Sequence, residues 1–114
     1  MPFINTITTK KLSDKDRELI KAELGKIIEE IPGKSEQWLM LGFNEDVKMY
    51  FRGDDSLDTA YVEVSIFGSA DSDAYDRLTA KICQLYESKL GIPADRVYVK
   101  YEESDRWGWN KINF

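Results

Sequence analysis

Residues 60–67 (AYVEVSIF) decide the fold, because apolar side chains alternate with more polar ones through most of this segment. A period of two, with β-branched and aromatic residues, predicts a β-strand that has one face in the core. A helix is predicted to follow, beginning at residues 71–73 (DSD) and ending at Gly91, with Pro93 just beyond it. Residues 96–101 (RVYVKY) predict the next strand. The inner face of the helix is predicted to contain Ala74, Leu78, Ile82, Leu85, Tyr86 and Leu90.

The first half of the chain repeats this plan. Residues 3–8 (FINTIT) predict a strand, and Ser13 is a candidate N-cap with acidic residues in the turn that follows. The Pro-Gly pair at residues 32–33 is expected to end this helix. Residues 38–43 (WLMLGF) form a nearly continuous apolar run, which predicts a strand buried on both faces. Apolar residues at helical spacing predict about four to five turns: Leu19, Ile20, Leu24, Ile27, Ile28 and Ile31.

The whole chain is predicted to be one α/β domain, residues 1–114, made of two β-α-β repeats. The repeats cover about residues 2–52 and 57–101, and a C-terminal tail occupies residues 102–114. A crossover helix makes the two strands of each repeat parallel, so we expect a four-stranded mixed sheet backed by two helices. A short hairpin strand at residues 47–51 and further strands in the tail are expected to complete the fold.

Two helices can cover only one face of such a sheet. The predicted strands nevertheless have apolar or aromatic residues on both sides, and a large exposed apolar surface usually marks an interface. We therefore expect an oligomer that buries the second face. The residues on which this expectation depends are Tyr61, Val62, Val64, Ile66, Val97, Tyr98, Val99 and Tyr101.

The composition is typical of a folded soluble protein, since 42% of the residues are hydrophobic and 32% are charged. The formal net charge is −5 and the basic residues form no stripe, so no nucleic-acid partner is expected. No apolar run approaches the ~20 residues that span a bilayer, so no membrane association is expected. The N-terminus lacks a secretory signal pattern, which makes the cytoplasm the expected location and leaves non-classical secretion open.

The chain contains no histidine, and Cys83 is its only cysteine. These absences exclude serine–histidine and cysteine–histidine nucleophiles, an intramolecular disulfide and thiolate zinc sites. A site built from carboxylates alone is a poor choice for zinc or copper, so no metal is expected.

The amine of Pro2 is the best remaining candidate for a base that titrates near neutral pH. A free α-amino group has a pKa of about 7.7–8.0, whereas the pKa of lysine is about 10.4. Desolvation and a nearby positive charge lower the pKa of an amine further. The amine exists only if Met1 is removed, because otherwise the nitrogen of Pro2 belongs to a tertiary amide.

Five short segments occur in an order that resembles a known family. They are Met1-Pro2, Lys34, Ser65-Ile66, residues 95–98 (DRVY) and residues 108–110 (GWN). Together they resemble the macrophage migration inhibitory factor family of the tautomerase superfamily, which includes D-dopachrome tautomerase. The resemblance implies a homotrimer whose sheets face a central channel and whose active sites lie between subunits. It also implies a keto–enol tautomerase that needs no cofactor.

The resemblance assigns roles to residues of this chain. Pro2 matches the catalytic base and acid, and Lys34 matches the cation that binds the carboxylate of the substrate. Ile66 matches a position whose backbone N–H contacts the substrate, with Ser65 beside it. Tyr98 matches a tyrosine that the adjacent subunit contributes. Taken alone, Lys34 is by default a solvated residue that interacts with the end of a helix dipole, and Tyr98 is by default an aromatic that packs on the sheet.

The remaining matches include departures from the pattern of the family. Trp38 lies where the family often has a pocket aromatic, and Trp107 lies where it has a smaller apolar residue, so Trp107 is expected to narrow or reshape the pocket. Lys100 replaces an asparagine of the mammalian cytokine near the pocket rim. The Cys-x-x-Cys of that cytokine falls on residues 58–61 (DTAY), which cannot support thiol chemistry.

Two functions follow from the resemblance. The first is a tautomerase that acts on small aryl-pyruvate-like or enol acids such as phenylpyruvate, with Pro2 as the base. The second is a cytokine-like binding or signalling module of the same fold with little or no physiological catalysis. Relatives in the superfamily also hydrate, dehalogenate or decarboxylate unsaturated acids, and the sequence leaves these activities open.

Overall fold

A computed structural model describes all residues from Met1 to Phe114. Four strands and two α-helices form the body of the domain, three short 3₁₀ helices connect them, and the tail folds into a two-stranded hairpin. The elements are β1 (Pro2–Thr8), α1 (Asp14–Ile27), a 3₁₀ helix (Ile28–Glu30), a 3₁₀ helix (Glu36–Trp38), β2 (Met40–Asn44), β3 (Ala60–Phe67), α2 (Ser72–Leu90), a 3₁₀ helix (Ala94–Arg96), β4 (Val97–Ser104), β5 (Gly108–Trp109) and β6 (Ile112–Asn113).

The sheet has the strand order β2-β1-β3-β4. β1 runs parallel to β2, and β3 runs parallel to β4, as a helical crossover requires. β1 and β3 are antiparallel, so the two β-α-β repeats meet along the centre of the sheet. This arrangement confirms the predicted mixed four-stranded sheet backed by two helices. β4 continues to Ser104, three residues beyond the predicted end of the second repeat.

Both α-helices begin where the sequence predicts, and α2 ends at Gly91 as predicted. The first helix was predicted to continue to the Pro-Gly pair at residues 32–33, but α1 ends at Ile27 and a 3₁₀ helix continues to Glu30. The hydroxyl of Ser13 accepts a hydrogen bond of 3.0 Å from the backbone N–H of Asp16, and Asp16 accepts one of 3.2 Å in return, which completes a capping box. The carboxylate of Asp71 accepts a hydrogen bond of 2.8 Å from the backbone N–H of Ala74. Gly91 ends α2 with a φ of 70°, a left-handed conformation that suits glycine.

The core lies between the helices and one face of the sheet. Burial alternates along β3, where Val62, Val64 and Ile66 are almost fully buried. Each such aliphatic side chain contributes roughly 1.5–3 kcal/mol of hydrophobic stabilisation. The helices supply the facing layer, which consists mainly of Ile20, Leu24, Ile28, Ala74, Leu78, Ile82, Leu85, Tyr86 and Leu90.

Neither helix of this fold combines the length and the apolar character that crossing a membrane demands.

Two predicted strands differ from the structure. β2 begins at Met40, because Trp38 belongs to the preceding 3₁₀ helix, and β2 is a half-exposed edge strand instead of one buried on both faces. Residues 47–51 form no strand, and only a single bridge joins Phe51 to Asp54. The backbone N–H of Val47 bonds to the carbonyl of Thr8 at the end of β1, and no strand of the same chain lies beside the following residues.

The face of the sheet opposite the helices, here called the open face, is more polar than the sequence analysis assumed. Most of the residues that suggested an apolar second face point toward the helices, and Tyr61 and Tyr98 are the exceptions. A polar row also crosses the open face. Asn44 donates a hydrogen bond of 3.1 Å to Asn5, and Asn5 donates one of 3.4 Å to Glu63. Only Tyr61 and Tyr98 of those eight residues therefore lie on the open face, and an oligomer that buries this face stays a prediction.

Candidate active site

An open pocket of about 390 Å³ lies where β1 and β2 begin. The parallel register pairs Phe3 with Met40, which brings the starts of these two strands side by side. The C-terminal tail forms a third side of the pocket through residues 107–109. A hydrogen bond of 2.9 Å from the backbone N–H of Phe114 to the carbonyl of Trp107 closes the hairpin of this tail. Seven of the ten lining residues are apolar, and the set is Met1, Pro2, Phe3, Gln37, Trp38, Leu39, Met40, Trp107, Gly108 and Trp109.

Three tryptophans surround this pocket. Trp38 and Trp109 meet edge to face, with ring centroids 5.0 Å apart and an interplanar angle of 88°. Trp107 lines the pocket beside them. Trp38 and Trp107 were predicted from the sequence as pocket residues, whereas Trp109 was only part of a motif and Phe3 and Met40 were not predicted. The GWN segment was the available signal for Trp109, whereas Phe3 and Met40 become neighbours only through the strand register.

Lys34 reaches this region from the turn that follows the first helix. Its backbone N–H donates a hydrogen bond of 3.1 Å to the carbonyl of Ile31, which fixes the turn. Its side-chain Nζ then donates a hydrogen bond of 2.7 Å to the carbonyl of Phe67 at the end of β3. The backbone N–H of Phe67 donates in turn to the carbonyl of Met1, at 3.1 Å. Lys34 therefore lies beside the N-terminus.

The N-terminal amine has an unusual pKa in this position. Partial burial, the hydrogen bond to Lys34 and the positive charge of Lys34 lower the pKa of the Met1 amine to about 6. Met1 is present in this structure, so the titrating amine is its own and the nitrogen of Pro2 is an amide. Pro2 itself is buried on β1, directly opposite Ile66 of β3.

Ser65 and Ile66 contribute no side chain to the pocket. The side chain of Ile66 is fully buried and points toward the helices. Ser65 is half-buried on the open face, where Phe3 of β1 is its cross-strand partner. The register of β1 and β3 thus brings the backbone of Ile66 close to Pro2. The side chain of Ile66 points toward the helices, and that of Ser65 lies on the open face.

Tyr98 lies at the opposite end of the sheet from Pro2. It pairs with Tyr61, which pairs with Ile7, whereas Pro2 pairs with Ile66. Five residues along a strand correspond to about 16 Å, so Tyr98 cannot reach the pocket of its own chain. Its side chain is exposed, at 63% of its full accessible area. Lys100, two residues further along β4, forms an ion pair of 3.0 Å with Glu102.

No group of three or more His, Cys, Asp or Glu side chains in this chain is arranged so that it could hold a metal ion.

Comparisons with known proteins place the chain in one family. Residues 1–112 match the sequence profile of the family described as macrophage migration inhibitory factor (MIF). The crystal structure of MIF2 from Leishmania major is 34% identical, with a TM-score of 0.91, and the match covers 100% of this chain and 97% of that one. The MIF homologue of Prochlorococcus marinus is 30% identical, with a TM-score of 0.83 and 98% of both chains covered.

A more distant structure shares the fold alone. The macrophage migration inhibitory factor of Toxoplasma gondii is 18% identical, with a TM-score of 0.89, and covers 98% of this chain and 99% of its own. No curated protein sequence matches the chain.

Proposed function

Because this chain belongs to the macrophage migration inhibitory factor family, we propose that it is a cofactor-independent keto–enol tautomerase of aryl-pyruvate-like acids such as phenylpyruvate. The observation that carries this proposal is the position of Lys34 beside the N-terminal amine, where partial burial and Lys34 lower the pKa of the Met1 amine to about 6. An amine with this pKa is largely unprotonated at neutral pH and can act as a general base. Removal of Met1 would give Pro2 the terminal amine at the same edge of the pocket.

The proposed reaction moves one proton between carbon and oxygen. The unprotonated nitrogen of Pro2 takes a proton from C3 of the 2-oxo acid, and the electron pair of that C–H bond forms the C2–C3 double bond. The carbonyl oxygen becomes an enolate and then receives that proton from the protonated nitrogen of Pro2, which yields the enol and restores the free amine. The reverse sequence converts the enol to the keto acid, so no oxidant and no cofactor is consumed.

Lys34 is proposed to bind the carboxylate of the substrate. An ammonium group has three N–H donors, and one of them is used by the carbonyl of Phe67. A second donor faces the N-terminal amine, and the third remains for a carboxylate, which forms strong charge-assisted hydrogen bonds with an ammonium. The same cation stabilises negative charge that develops on the enolate.

The aryl group of the substrate is proposed to lie among the tryptophans. The faces and edges of Trp38, Trp107 and Trp109 offer apolar contacts that suit a planar ring. Tyr98 completes the proposed site from the adjacent subunit of a homotrimer, because Tyr98 lies about 16 Å from the pocket of its own chain.

The experiment compares three proteins by intact mass and by enol–keto turnover of phenylpyruvate. They are the Met-free chain, the chain that retains Met1, and the Met-free Pro2→Gly variant. We expect the Met-free chain to be active and the Met-retaining chain to be slower by about 100-fold or more, since its Pro2 nitrogen is an amide. Equal turnover in all three proteins would show that Pro2 is not the base.

A binding module of the same fold is the second candidate. Trp107 favours it, because this large ring lines the pocket and leaves less room for a substrate. A chain that keeps Met1 in its natural host and shows no proton exchange on aryl-pyruvates after Met1 removal would support this candidate over the enzyme.

A further inference from the structure

A nearly buried arginine organises one loop at the end of the sheet. Arg96 precedes β4, is only 5% exposed and directs its guanidinium into residues 51–58, here called the 51–58 loop. It donates hydrogen bonds to the carbonyl oxygens of Asp54 at 2.9 Å, Leu57 at 3.1 Å and Asp58 at 3.0 Å. It also donates to the carboxylate of Asp54 at 3.4 Å. A buried charge is costly unless it is fully paired, and these four bonds meet that requirement.

The 51–58 loop begins with a tight turn. Phe51 and Asp54 exchange two backbone hydrogen bonds of 3.0 Å each. The two residues between them, Arg52 and Gly53, have φ values of 53° and 72°. Left-handed conformation at both central positions defines a type I′ turn, which is unfavourable for arginine. The bonds from Arg96 to Asp54 hold this turn in place.

Three groups contact the ring of Phe51. The guanidinium groups of Arg52 and Arg96 lie 4.8 Å and 5.4 Å from the centre of the ring. The ring of Tyr98 meets it edge to face, with centroids 5.4 Å apart and an interplanar angle of 75°. No other aromatic ring contact fixes Tyr98, which is otherwise largely exposed.

We propose that Phe51 is a positioning residue for Tyr98, and that Arg96 holds Phe51 in place through the 51–58 loop. The proposal rests on the proposed function, in which Tyr98 reaches the pocket of a neighbouring subunit. Without Phe51, the ring of Tyr98 is free to occupy several rotamers on an exposed strand. With Phe51, the phenol is held in one direction before substrate arrives, which lowers the entropic cost of binding. Phe51 touches neither Pro2 nor Lys34, so its effect falls on KM and not on kcat.

A double-mutant cycle on the Met-free trimer tests this inference. Phe51→Ala is measured in the wild-type, Tyr98→Phe and Tyr98→Ala backgrounds, with KM and kcat for phenylpyruvate. We expect Phe51→Ala to raise KM by about three- to tenfold in the wild-type and Tyr98→Phe proteins, which both keep the ring contact. In the Tyr98→Ala protein, the same change is expected to alter KM by less than about twofold.

Two variants keep the cycle interpretable. Leu57→Ala is the matched control, because it shortens an exposed side chain of the same loop and leaves the carbonyl that Arg96 uses. Phe51→Leu preserves apolar volume, and it replaces Phe51→Ala if the latter fails to assemble in sedimentation. Leu57→Ala is expected to leave KM unchanged.

The possible failures are distinct. An equal rise in KM in the Tyr98→Ala background, or no rise in the wild-type background, would overturn the positioning role. If Tyr98→Ala has the KM of the wild-type protein, the positioning role is overturned as well. If turnover still depends on Pro2 in that case, the tautomerase proposal stands. Absence of turnover in the Met-free wild-type protein would instead refute the proposed function.

Discussion

The Nζ of Lys34 donates a hydrogen bond of 2.7 Å to the carbonyl oxygen of Phe67, and this bond holds a cation beside the N-terminal amine. Phe67 in turn donates its backbone N–H to the carbonyl of Met1. A residue from the turn after the first helix, the end of β3 and the start of β1 thus meet at one point. The ammonium of Lys34 helps to lower the pKa of the amine and is available to an anionic substrate.

Replacement of Lys34 is expected to raise the pKa of the N-terminal amine. Lys34→Met removes a positive charge and a hydrogen bond that both lower this pKa, so the value moves from about 6 toward its usual 8.0. After removal of Met1 the amine belongs to Pro2 at the same edge of the pocket, and loss of Lys34 is expected to move the acid limb of its kcat/KM profile to higher pH. NMR titration of the amine provides a second readout. Lys34→Arg keeps the positive charge and is the matched control. If the acid limb of kcat/KM shifts as far in Lys34→Arg as in Lys34→Met, the charge of Lys34 is not what lowers the pKa of the amine.

The same depressed pKa affects stability. Between about pH 6 and 8 the unfolded chain binds more protons at its N-terminus than the folded chain does. The contribution of this amine to the free energy of unfolding is therefore fully present above pH 8 and decreases as the pH falls to 6. Urea unfolding at several pH values, with N-terminally acetylated protein as the control, measures it. Identical pH slopes for the two proteins would exclude the effect.

Trp107 is expected to set the size of the accepted aryl group. Trp107→Val removes a large ring from the pocket, so KM for phenylpyruvate should rise by about three- to tenfold through lost aromatic contact. The space gained should increase kcat/KM for naphthyl-pyruvate relative to phenylpyruvate. Trp107→Phe keeps an aromatic ring and is the matched control, for which we expect a smaller change in KM and in selectivity. Unchanged selectivity in Trp107→Val would place the aryl group elsewhere.

Gly25 on α1 leaves room for the side chain of Glu36, which belongs to the 3₁₀ helix that bears Trp38. A Cβ at this position would lie only 2.3 Å from a carboxylate oxygen of Glu36. In a Glu36→Ala background, Gly25→Ala should stabilise the protein by about 0.5–1 kcal/mol through higher helix propensity. In the wild-type background the gain should be smaller, because Glu36 must move. Thermal unfolding of the four proteins measures this difference, and equal gains in both backgrounds would disprove the steric conflict.

A buried hydrogen bond of 2.5 Å joins the hydroxyl groups of Thr6 on β1 and Tyr86 on α2. Tyr86→Phe leaves the hydroxyl of Thr6 without a partner in the core and should cost about 1–3 kcal/mol of unfolding free energy. Adding Thr6→Val to Tyr86→Phe should recover most of that loss, since both polar groups are then absent. Denaturant unfolding of the single and double variants tests the pair, and additive losses would refute the coupling.

Several features of the fold could be predicted because they depend on neighbouring residues in the chain. Ser13, Asp71 and Gly91 are helix caps whose chemistry is complete within one turn. The alternation in residues 60–67 and the apolar spacing in both helices reflect the geometry of the backbone itself. Two successive units of this kind are enough to predict parallel strand pairs.

Other features failed or were missed because they depend on partners that are distant in sequence. Residues 47–51 have strand-like side chains, but no strand of the chain lies beside them. Trp38 was predicted to begin a strand, but it lies at the end of the 3₁₀ helix that follows the turn after α1. Phe3 and Met40 became pocket residues only through the register of β1 with β2.

By itself, therefore, the sequence determined both helices, the four main strands, the family resemblance and the importance of the N-terminal amine in a chain without histidine. Only the tertiary structure decided that Lys34 lies beside that amine, that Trp109 closes the pocket, and that Tyr98 is at the far end of its own sheet. The physical reason is that periodicity and capping are local properties of a backbone. Residues that are tens of positions apart in the chain come close together only once the register of the strands and their packing against the helices are established.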